Sequence, residues 1–265
     1  FHVAAKAGIW GDHQEYYAVN VLGTENVLAA CGRNNISRVI YTSTPSVVFG
    51  RRDLAGVDES TPYADTFLCH YAATKALAEQ KVLAANSARL LTCALRPHLV
   101  WGPGDTNLIP RLVARGRGRQ LKMVGAGTNL VDISYIDNVA GAHVLAAENL
   151  EQTGSAAGRA YFVSQGEPVN LWNWINELFT QLDIPRVTKR VSLRKALVAG
   201  VFFEKLYLLL KKREEPPMTR FLAEQLAKSH WFSLAGARRD LGYTAEVSTA
   251  EGMQRLVAWL RQERL

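Results

Sequence analysis

Strand-like and helix-like patterns alternate over the first ~100 residues of this chain. Residues 36–43 and 90–95 are rich in β-branched and other apolar residues, whereas 16–33 and 70–86 have the composition of helices. A helix between two such strands supplies the crossover connection that a parallel pair of strands requires. The alternation therefore predicts an α/β protein built on a doubly wound parallel sheet.

The rest of the chain predicts a turn-rich segment at 50–62, further helices and a few short strands. Helices are expected over 109–115, 137–149, 171–182, 192–212, 235–241 and 249–263, and short strands over 1–5, 121–124 and 161–164. We expect residues 1–105, with parts of 121–165, to form the sheet domain. Residues 106–120 and 166–265 are expected to form a smaller lobe interleaved with it.

The composition restricts the class of protein more than its function. A length of 265 residues allows one large domain, or one domain with a smaller lobe. The net charge of +7 permits an anionic partner without selecting one. The three cysteines are scattered and the six histidines lack close metal-ligand spacing, so we expect neither a disulfide nor a metal site.

Tyr71 and Lys75 stand one helical turn apart on the predicted helix 70–86. An ammonium beside a phenol favours the phenolate, so we expect Lys75 to lower the pKa of Tyr71. The preceding strand ends in hydroxyl residues, from which a substrate oxygen could be held against Tyr71. The same spacing recurs at Tyr207 and Lys211 inside an apolar run without such a strand. The context, more than the spacing, therefore predicts a proton relay for reducing a carbonyl or oxidising an alcohol.

Several motifs in one order resemble those of the extended short-chain dehydrogenase/reductases, most closely the 3β-hydroxysteroid dehydrogenase-like branch. The motifs are His-Val-Ala-Ala at 2–5, Asn-Val-Leu-Gly-Thr-Glu-Asn at 20–26, Tyr-Thr-Ser-Thr at 41–44, Leu-Arg-Pro-His-Leu-Val-Trp-Gly-Pro-Gly-Asp at 95–105 and Asp-Ile-Ser-Tyr-Ile-Asp-Asn-Val-Ala at 132–140. The resemblance implies a Rossmann-like domain that binds NADP or NAD, with a smaller substrate lobe.

The resemblance also implies roles for individual residues. The catalytic residues would be Thr44, Tyr71, Lys75 and Asn20. The cofactor would be contacted by His2, Ala4, Ala5, Thr42, Ser43, Tyr71, Lys75, Pro97, His98 and Val100. Substrate contacts are expected at Ser46, Asn107, Tyr135 and Arg220, where Arg220 could hold a carboxylate in bidentate fashion.

Within the branch, residues 42–49 and 96–105 are most similar to a bacterial subgroup of long-chain olefin biosynthesis. That resemblance implies reduction of a 2-alkyl-3-oxo acid, a large apolar β-keto acid, to the 3-hydroxy acid. A 3β-hydroxysteroid dehydrogenase and a nucleotide-sugar epimerase stay open as alternatives, as does a non-catalytic fragment that binds no cofactor. Pro45 and Ser46 follow the catalytic Thr where dehydratases of the family carry an acidic pair, which argues against a dehydratase.

One expected motif is not in the sequence. The family begins with a Gly-rich βα turn that holds the cofactor pyrophosphate, and neither 102–104 nor 125–130 fits it. Because the chain also begins with a strand-like stretch at 1–5, we expect an N-terminally truncated sheet. The residue that separates NAD from NADP belongs to the same part of the family, so cofactor choice rests on the resemblance, which favours NADPH.

Two stretches of the sequence, one basic and one apolar, indicate whether the protein binds nucleic acid or a membrane. The basic run from Arg111 to Lys122 has no interleaved aromatic residues, so we expect a solvated face and no nucleic-acid binding. Residues 196–210 are apolar and flanked by basic residues, but too short and too charged to span a bilayer. A helix that covers the substrate pocket and an interfacial helix both fit. We expect a cytoplasmic protein; peripheral membrane contact through 194–213 and a homodimer are further candidates.

Overall fold

The computed structural model describes residues 1–263, so the last two residues of the predicted lobe 166–265 lie outside the described residues. The main sheet has three parallel strands in the order β1, β3, β8, which span Arg38–Thr42, Leu91–Pro97 and Arg159–Val163. His2 forms a parallel bridge to Tyr41 on the other side of β1. The predicted parallel α/β architecture is therefore confirmed.

Helices cover both faces of this sheet. Those that precede or follow its strands are α1 (His13–Tyr17), a π-helical turn (Ala18–Leu22), α2 (Gly23–Arg33), α3 (His70–Ala84), α5 (Ile136–Gln152) and α9 (Ala235–Leu241). Tyr41 packs with Ala78 of α3, while the adjacent residue Ile40 packs in a cluster with Ala142 of α5. Since successive strand residues point to opposite faces, the sheet is doubly wound.

The second half of the chain adds short strands and a second apolar core. The strands are β2 (Leu54–Val57), β4 (Val100–Trp101), β5 (Met123–Val124), β6 (Leu130–Val131), β7 (Ser134–Tyr135), β9 (Val169–Asn170), β10 (Arg190–Val191) and β11 (His230–Phe232). The remaining helices are α4 (Leu108–Arg117), α6 (Leu171–Gln181), α7 (Leu193–Leu209), α8 (Arg220–Ala227) and α10 (Thr249–Gln262). The second core forms around Trp101, Trp172, Phe179 and Leu256.

A four-stranded sheet in the order β2, β11, β6, β9 joins the two cores. Leu54 and Phe232 belong to the core of the main sheet, whereas Val131 belongs to the second core. Residues 232–241, which we assigned mainly to the smaller lobe, supply α9 and pack against β8 and α5. The division of the chain into domains stays a prediction.

Several observed elements were not predicted, among them the two-residue strands β4, β6, β7, β9 and β10. Strand β2 lies inside the segment 50–62 that we expected to consist of turns, and β11 and α8 fall in a region given no element. Both strands are very short, and they are stabilised by pairing with each other rather than by a local apolar pattern. Among the described helices, none combines the length and the apolar character that crossing a bilayer requires.

Candidate active site

The predicted catalytic residues meet where β1 and β3 end, which is the catalytic edge of the sheet. After Thr42, the backbone N–H of Ser43 donates to Leu95 O of β3 at 2.6 Å. Helix α3 runs beside this edge and carries Tyr71 and Lys75. Ligands of doubly wound sheets bind in the crevice outside the carboxyl ends of the strands. The fold therefore places the strand hydroxyls, Tyr71 and Lys75 at the position where this class of fold binds its ligands.

Lys75 is buried at 2% exposure although its side chain can carry a charge. Its Nζ donates to Thr42 O at 2.5 Å and lies 4.1 Å from the centroid of the Tyr41 ring. Burial lowers the pKa of Lys75 to about 7, and the Glu79 carboxylate opposes this shift. Lys75 is therefore a desolvated amine fixed to the end of β1.

The pKa of Tyr71 is raised to about 12. Burial is the main cause, a hydrogen bond with the Thr44 side chain acts in the opposite direction, and Cys69 adds to the increase. Our prediction that Lys75 lowers this pKa is therefore wrong, because the ammonium faces Thr42 and Tyr41 instead. A phenol that keeps its proton at neutral pH can donate it to a carbonyl oxygen.

Thr44 is fixed by the turn that follows it. Its Oγ1 accepts the backbone N–H of Ser46 at 3.2 Å and lies 3.2 Å from Ser46 Oγ, which caps the short 3-10 helix Pro45–Val47. The same hydroxyl also forms a hydrogen bond with Tyr71. Its role as a helix cap therefore does not prevent the predicted contact with substrate. Ser46 lies next to Thr44, and its contact with substrate stays a prediction.

Asn20 lies in the π-helical turn between α1 and α2. Its amide Nδ2 donates to Lys6 O at 3.1 Å and to Thr74 Oγ1 at 3.0 Å, and its Oδ1 accepts the Lys6 N–H at 2.7 Å. Because Thr74 precedes Lys75, Asn20 fixes the segment around Lys6 against the catalytic helix. The contacts are those of a positioning residue, and its part in the proton relay stays a prediction.

The N-terminal residues predicted to contact the cofactor lie beside β1. His2 is buried, and its Nε2 is 2.9 Å from Thr24 Oγ1. Burial lowers the pKa of His2, and the charge of the nearby Lys75 lowers it further. Ala4 and Ala5 are exposed at the same edge. Their small side chains leave the backbone accessible to a ligand, and the contact itself stays a prediction.

The prediction for His98 needs correction. Its backbone N–H donates to Ser134 Oγ at 3.2 Å and its C=O accepts from the same hydroxyl at 2.7 Å, so both groups are engaged within the protein. Its Nε2 is 2.6 Å from His230 Nδ1, and burial lowers the pKa of both rings, that of His230 to about 4. His98 is thus a core residue, whereas the cofactor contacts of Pro97 and Val100 stay predictions.

The residues at this edge fit the nicotinamide end of a dinucleotide. Ser43 Oγ is buried and has no hydrogen-bond partner among the described residues, so a bound polar group would satisfy it. Thr42 Oγ1, by contrast, lies 2.7 Å from His143 Nε2. The Ser43 hydroxyl is therefore open to a hydrogen bond with a ligand, whereas the Thr42 hydroxyl already has a partner. Lys75 has three N–H donors, of which one is directed to Thr42 O. Lys75, Tyr71 and Ser43 would hold the nicotinamide riboside.

Two predicted substrate residues are used elsewhere. Tyr135 is buried, with its ring centroid 5.3 Å from that of Trp101 and its face against Gly252. Arg220 donates from Nε to Glu204 Oε2 at 2.7 Å, and its backbone N–H donates to Glu204 Oε1 at 2.7 Å. Both assignments are corrected: Tyr135 packs inside the second core, and Arg220 already has a carboxylate partner within the chain.

An apolar cavity of about 240 Å³ borders the core against which Tyr71 packs. Its wall includes Ile9, Leu99, Leu112, Ile133, Trp174 and Phe221. The Phe221 ring lies 6.2 Å from that of Phe49, which closes the turn after Thr44, and Ile9 packs against the same core as Tyr71. Asn107 precedes the cavity residue Leu108 at the start of α4, and its substrate contact stays a prediction.

The two arginines of the cavity wall were not assigned to a site from the sequence. Arg111 and Arg115 were expected on a solvated face, but both line the cavity and both pair with Glu215. Their spacing matches that of Leu108 and Leu112, which also line it. The shared helix face was the available signal, because residues four apart on a helix are neighbours.

Comparison with known proteins gives matches over nearly the whole chain. The model of the 3-beta hydroxysteroid dehydrogenase/isomerase family matches residues 1–194. A 2-alkyl-3-oxoalkanoate reductase of Stenotrophomonas maltophilia is 51% identical over 97% of this chain and 79% of that protein. A 2-alkyl-3-oxoalkanoate reductase of Shewanella oneidensis is 50% identical over 98% of this chain and 69% of that protein. The solved structure of MoeE5 in complex with UDP-glucose and NAD is 25% identical, with a TM-score of 0.74 over 100% of this chain and 79% of that one.

Proposed function

The chain belongs to the 3-beta hydroxysteroid dehydrogenase/isomerase family, and on this basis we propose that it reduces a 2-alkyl-3-oxo acid to the corresponding 3-hydroxy acid. It is an NAD(P)-dependent oxidoreductase of the extended short-chain dehydrogenase/reductase type that acts on CH–OH groups. The proposed substrate is the one in the names of the two relatives that share about half of their residues with this chain.

The catalytic edge supplies what such a reduction needs from the protein. When bound, NAD(P)H would supply the hydride for the carbonyl carbon. Tyr71 gives its proton to the carbonyl oxygen, which Thr44 holds by a hydrogen bond. Lys75 would hold the nicotinamide ribose and keep the end of β1 in place through Thr42. The ketone thereby becomes a secondary alcohol, and Tyr71 regains a proton from solvent.

The apolar cavity is the observation that carries the choice of substrate. Its wall is made mainly of aliphatic and aromatic side chains, which match alkyl chains and offer few partners to the hydroxyl groups of a sugar. A 3β-hydroxysteroid would fit the same wall and is the second candidate. The polar substrate of an epimerase would leave its hydroxyl groups without partners against this wall.

The test is turnover in the full protein of a freshly prepared 2-alkyl-3-oxo acid with NADPH and of a 3β-hydroxysteroid with NADP⁺, both followed by absorbance of the reduced cofactor. A UDP-sugar is incubated with NAD⁺, and its epimer is measured by chromatography. We expect the keto acid to be reduced and Tyr71→Phe to abolish turnover while cofactor binding persists. Tyr207→Phe is the matched control, because Tyr207 has the same spacing to a lysine outside the site. Retained turnover in Tyr71→Phe, or preference for the UDP-sugar, would refute the proposal.

We propose NADPH as the preferred form of the cofactor. The support is the resemblance to a reductive subgroup of the family, and reductive steps generally draw on NADPH. Comparison of kcat/KM with NADPH and NADH at equal substrate concentration tests it. A ratio in favour of NADH would contradict this preference and leave the reaction class unaffected.

We further propose that α7 contacts an anionic membrane surface. Its outward face is apolar, with exposed fractions of 59% for Phe202 and 79% for Leu209. Exposed basic residues lie at both ends of the helix: Lys189 and Arg190 before it, Arg194 and Lys195 in its first turn, and Lys211, Lys212 and Arg213 after it. An apolar helix face flanked by cations is what anionic lipid binds at an interface.

Co-sedimentation with vesicles tests this surface. We expect binding to vesicles with anionic lipid, loss of that binding in high salt, and loss in the double variant Phe202→Ser/Leu209→Ser. Val144→Ser is the control, since Val144 is an exposed apolar residue on another helix. A homodimer in solution that the double variant disrupts, without vesicle binding, would assign this face to a second copy instead.

A further inference from the structure

The polar part of the cavity wall is small and strongly basic. Besides Arg111 and Arg115, the cavity is lined by Gln225 and His230. The two ring nitrogens of His230 are taken, Nδ1 by His98 and Nε2 by Gln225 O. Two guanidinium groups and one side-chain amide therefore provide the polar contacts that the wall can offer a ligand.

A carboxylate already lies between these two arginines. Oxygen Oε1 of Glu215 accepts a hydrogen bond from Arg111 and lies 3.8 Å from a terminal nitrogen of Arg115. Helix α4 itself contains no acidic residue, so the carboxylate comes from another element. The pair of arginines is thus arranged to bind a carboxylate, which guanidinium groups recognise with charge-assisted hydrogen bonds.

Glu215 belongs to the connection between α7 and α8, residues 210–219. Beyond the Glu215 pair, Trp10 Nε1 donates to Lys212 O at 3.3 Å, a long hydrogen bond at an exposed position. The side chains of Arg111 and Glu215 are 43% and 20% exposed. An ion pair with one partner exposed to solvent contributes little to stability, so exchange of this carboxylate for another has a low cost.

We propose that Arg111 and Arg115 form a carboxylate subsite of the substrate cavity, in which Glu215 is exchanged for the carboxylate of the substrate. This inference rests on the proposed function, because it assigns the acid group of the 2-alkyl-3-oxo acid. The alkyl chains then lie against the apolar wall, and the exchange leaves the net charge around the arginines unchanged. Glu215 acts as an internal competitor, so the subsite selects acids over neutral ketones.

The experiment compares a stable 3-hydroxy acid with its methyl ester in the oxidative direction, with wild type, Arg111→Gln, Arg115→Gln and Glu215→Gln. We expect each arginine variant to raise KM for the acid about tenfold and to leave KM for the ester nearly unchanged. Glu215→Gln is expected to lower KM for the acid, because its amide competes less for the arginines. Arg119→Gln is the control, since Arg119 lies on the same basic run outside the cavity.

Equal effects of the arginine variants on acid and ester, or no effect on either, would overturn the subsite. Binding of the 3-hydroxy acid, followed by tryptophan fluorescence through Trp174 in the cavity wall, gives a readout that needs no turnover. If wild type turns over neither compound, the proposed function fails. A tenfold weaker binding of the acid by Arg111→Gln would still support the subsite, and unchanged binding would refute it.

Discussion

Some ionisable side chains of this protein are deeply buried and make few hydrogen bonds. Lys75 and the pair of His98 and His230 are ionisable groups in the protein interior, where charge is disfavoured. Lys75 lies at the edge of the sheet where we predict the cofactor to bind, whereas His98 is a core residue. The two cases lead to different expectations for stability and pH.

Replacing Lys75 by Met should stabilise the protein while removing activity. The folded pKa of about 7 lies below the value of 10.5 for an unperturbed lysine, so the unfolded state binds more protons between these values. Burial therefore costs stability most at and below pH 7, and the cost declines as pH rises toward 10.5. We expect Lys75→Met to gain about 1–4 kcal/mol at pH 7, and less at pH 10, in urea unfolding. A variant less stable than wild type at pH 7 would contradict this.

Replacing His230 by Gln should reduce the loss of stability in acid. The pKa of His230, about 4 when folded, lies below the unperturbed 6.5, so its contribution is lost as pH falls from 6.5 toward 4. At pH 5 this amounts to about 2 kcal/mol relative to pH 7. The amide of Gln can replace both hydrogen bonds of the ring without taking up a proton. We expect a smaller difference in unfolding free energy between pH 7 and 5 for the variant, and an equal difference would refute the assignment.

Elements of this fold differ in how closely their neighbours approach. Gly200 of α7 lies against the backbone at the start of α8, and the buried Glu204 one turn later caps that same helix through Arg220. Gly141 of α5 faces outward with open space around it. Helical glycines thus have opposite functions here, since one permits a close approach and the other only weakens its helix.

Two alanine substitutions should therefore change stability in opposite directions. Gly141→Ala is expected to stabilise the protein by about 1 kcal/mol, the difference in helix propensity. A Cβ at Gly200 would lie 2.8 Å from Arg220 N and from Thr219 C, so Gly200→Ala should destabilise by about 1–3 kcal/mol. Thermal unfolding of the two variants tests this pair. An increase in midpoint for both would show that α7 and α8 can move apart without cost.

How far an element could be predicted from sequence depended on where its stabilisation comes from. Strands β1 and β3 and helix α3 carry their own apolar pattern, so the sequence places Thr44, Tyr71 and Lys75 at one edge in the correct order. Strand β2 has no such pattern and depends on β11, far along the chain. In the same way, the partners of Arg220 and the surroundings of Tyr71 are set by tertiary neighbours that spacing does not reveal.

At the scale of the whole molecule, two cores are held together by one small sheet. Strands β2 and β11 bring residues of the first core beside β6 of the second. The cavity lies where these parts meet, with His230 of β11 and Ile133 after β6 in its wall. The substrate site therefore depends on both cores being in place.

The two cores should consequently unfold together. Cys69 and Cys93 are buried in the first core, and Trp101, Trp172 and Trp174 in the second. Pulsed thiol labelling and tryptophan fluorescence in a urea series thus report on different cores. We expect the two midpoints to coincide within error, as two-state behaviour requires. Separate midpoints would show that the small sheet does not couple the cores.

The pairing of β2 with β11 also has a consequence for how the chain is made. The partners lie about 175 residues apart, so β2 leaves the ribosome long before β11 exists. At roughly 5–20 residues per second, that interval is on the order of 9–35 s. During synthesis the emerging chain therefore carries a strand without its partner and a cavity without its wall, and its dependence on chaperones should be greatest in this window.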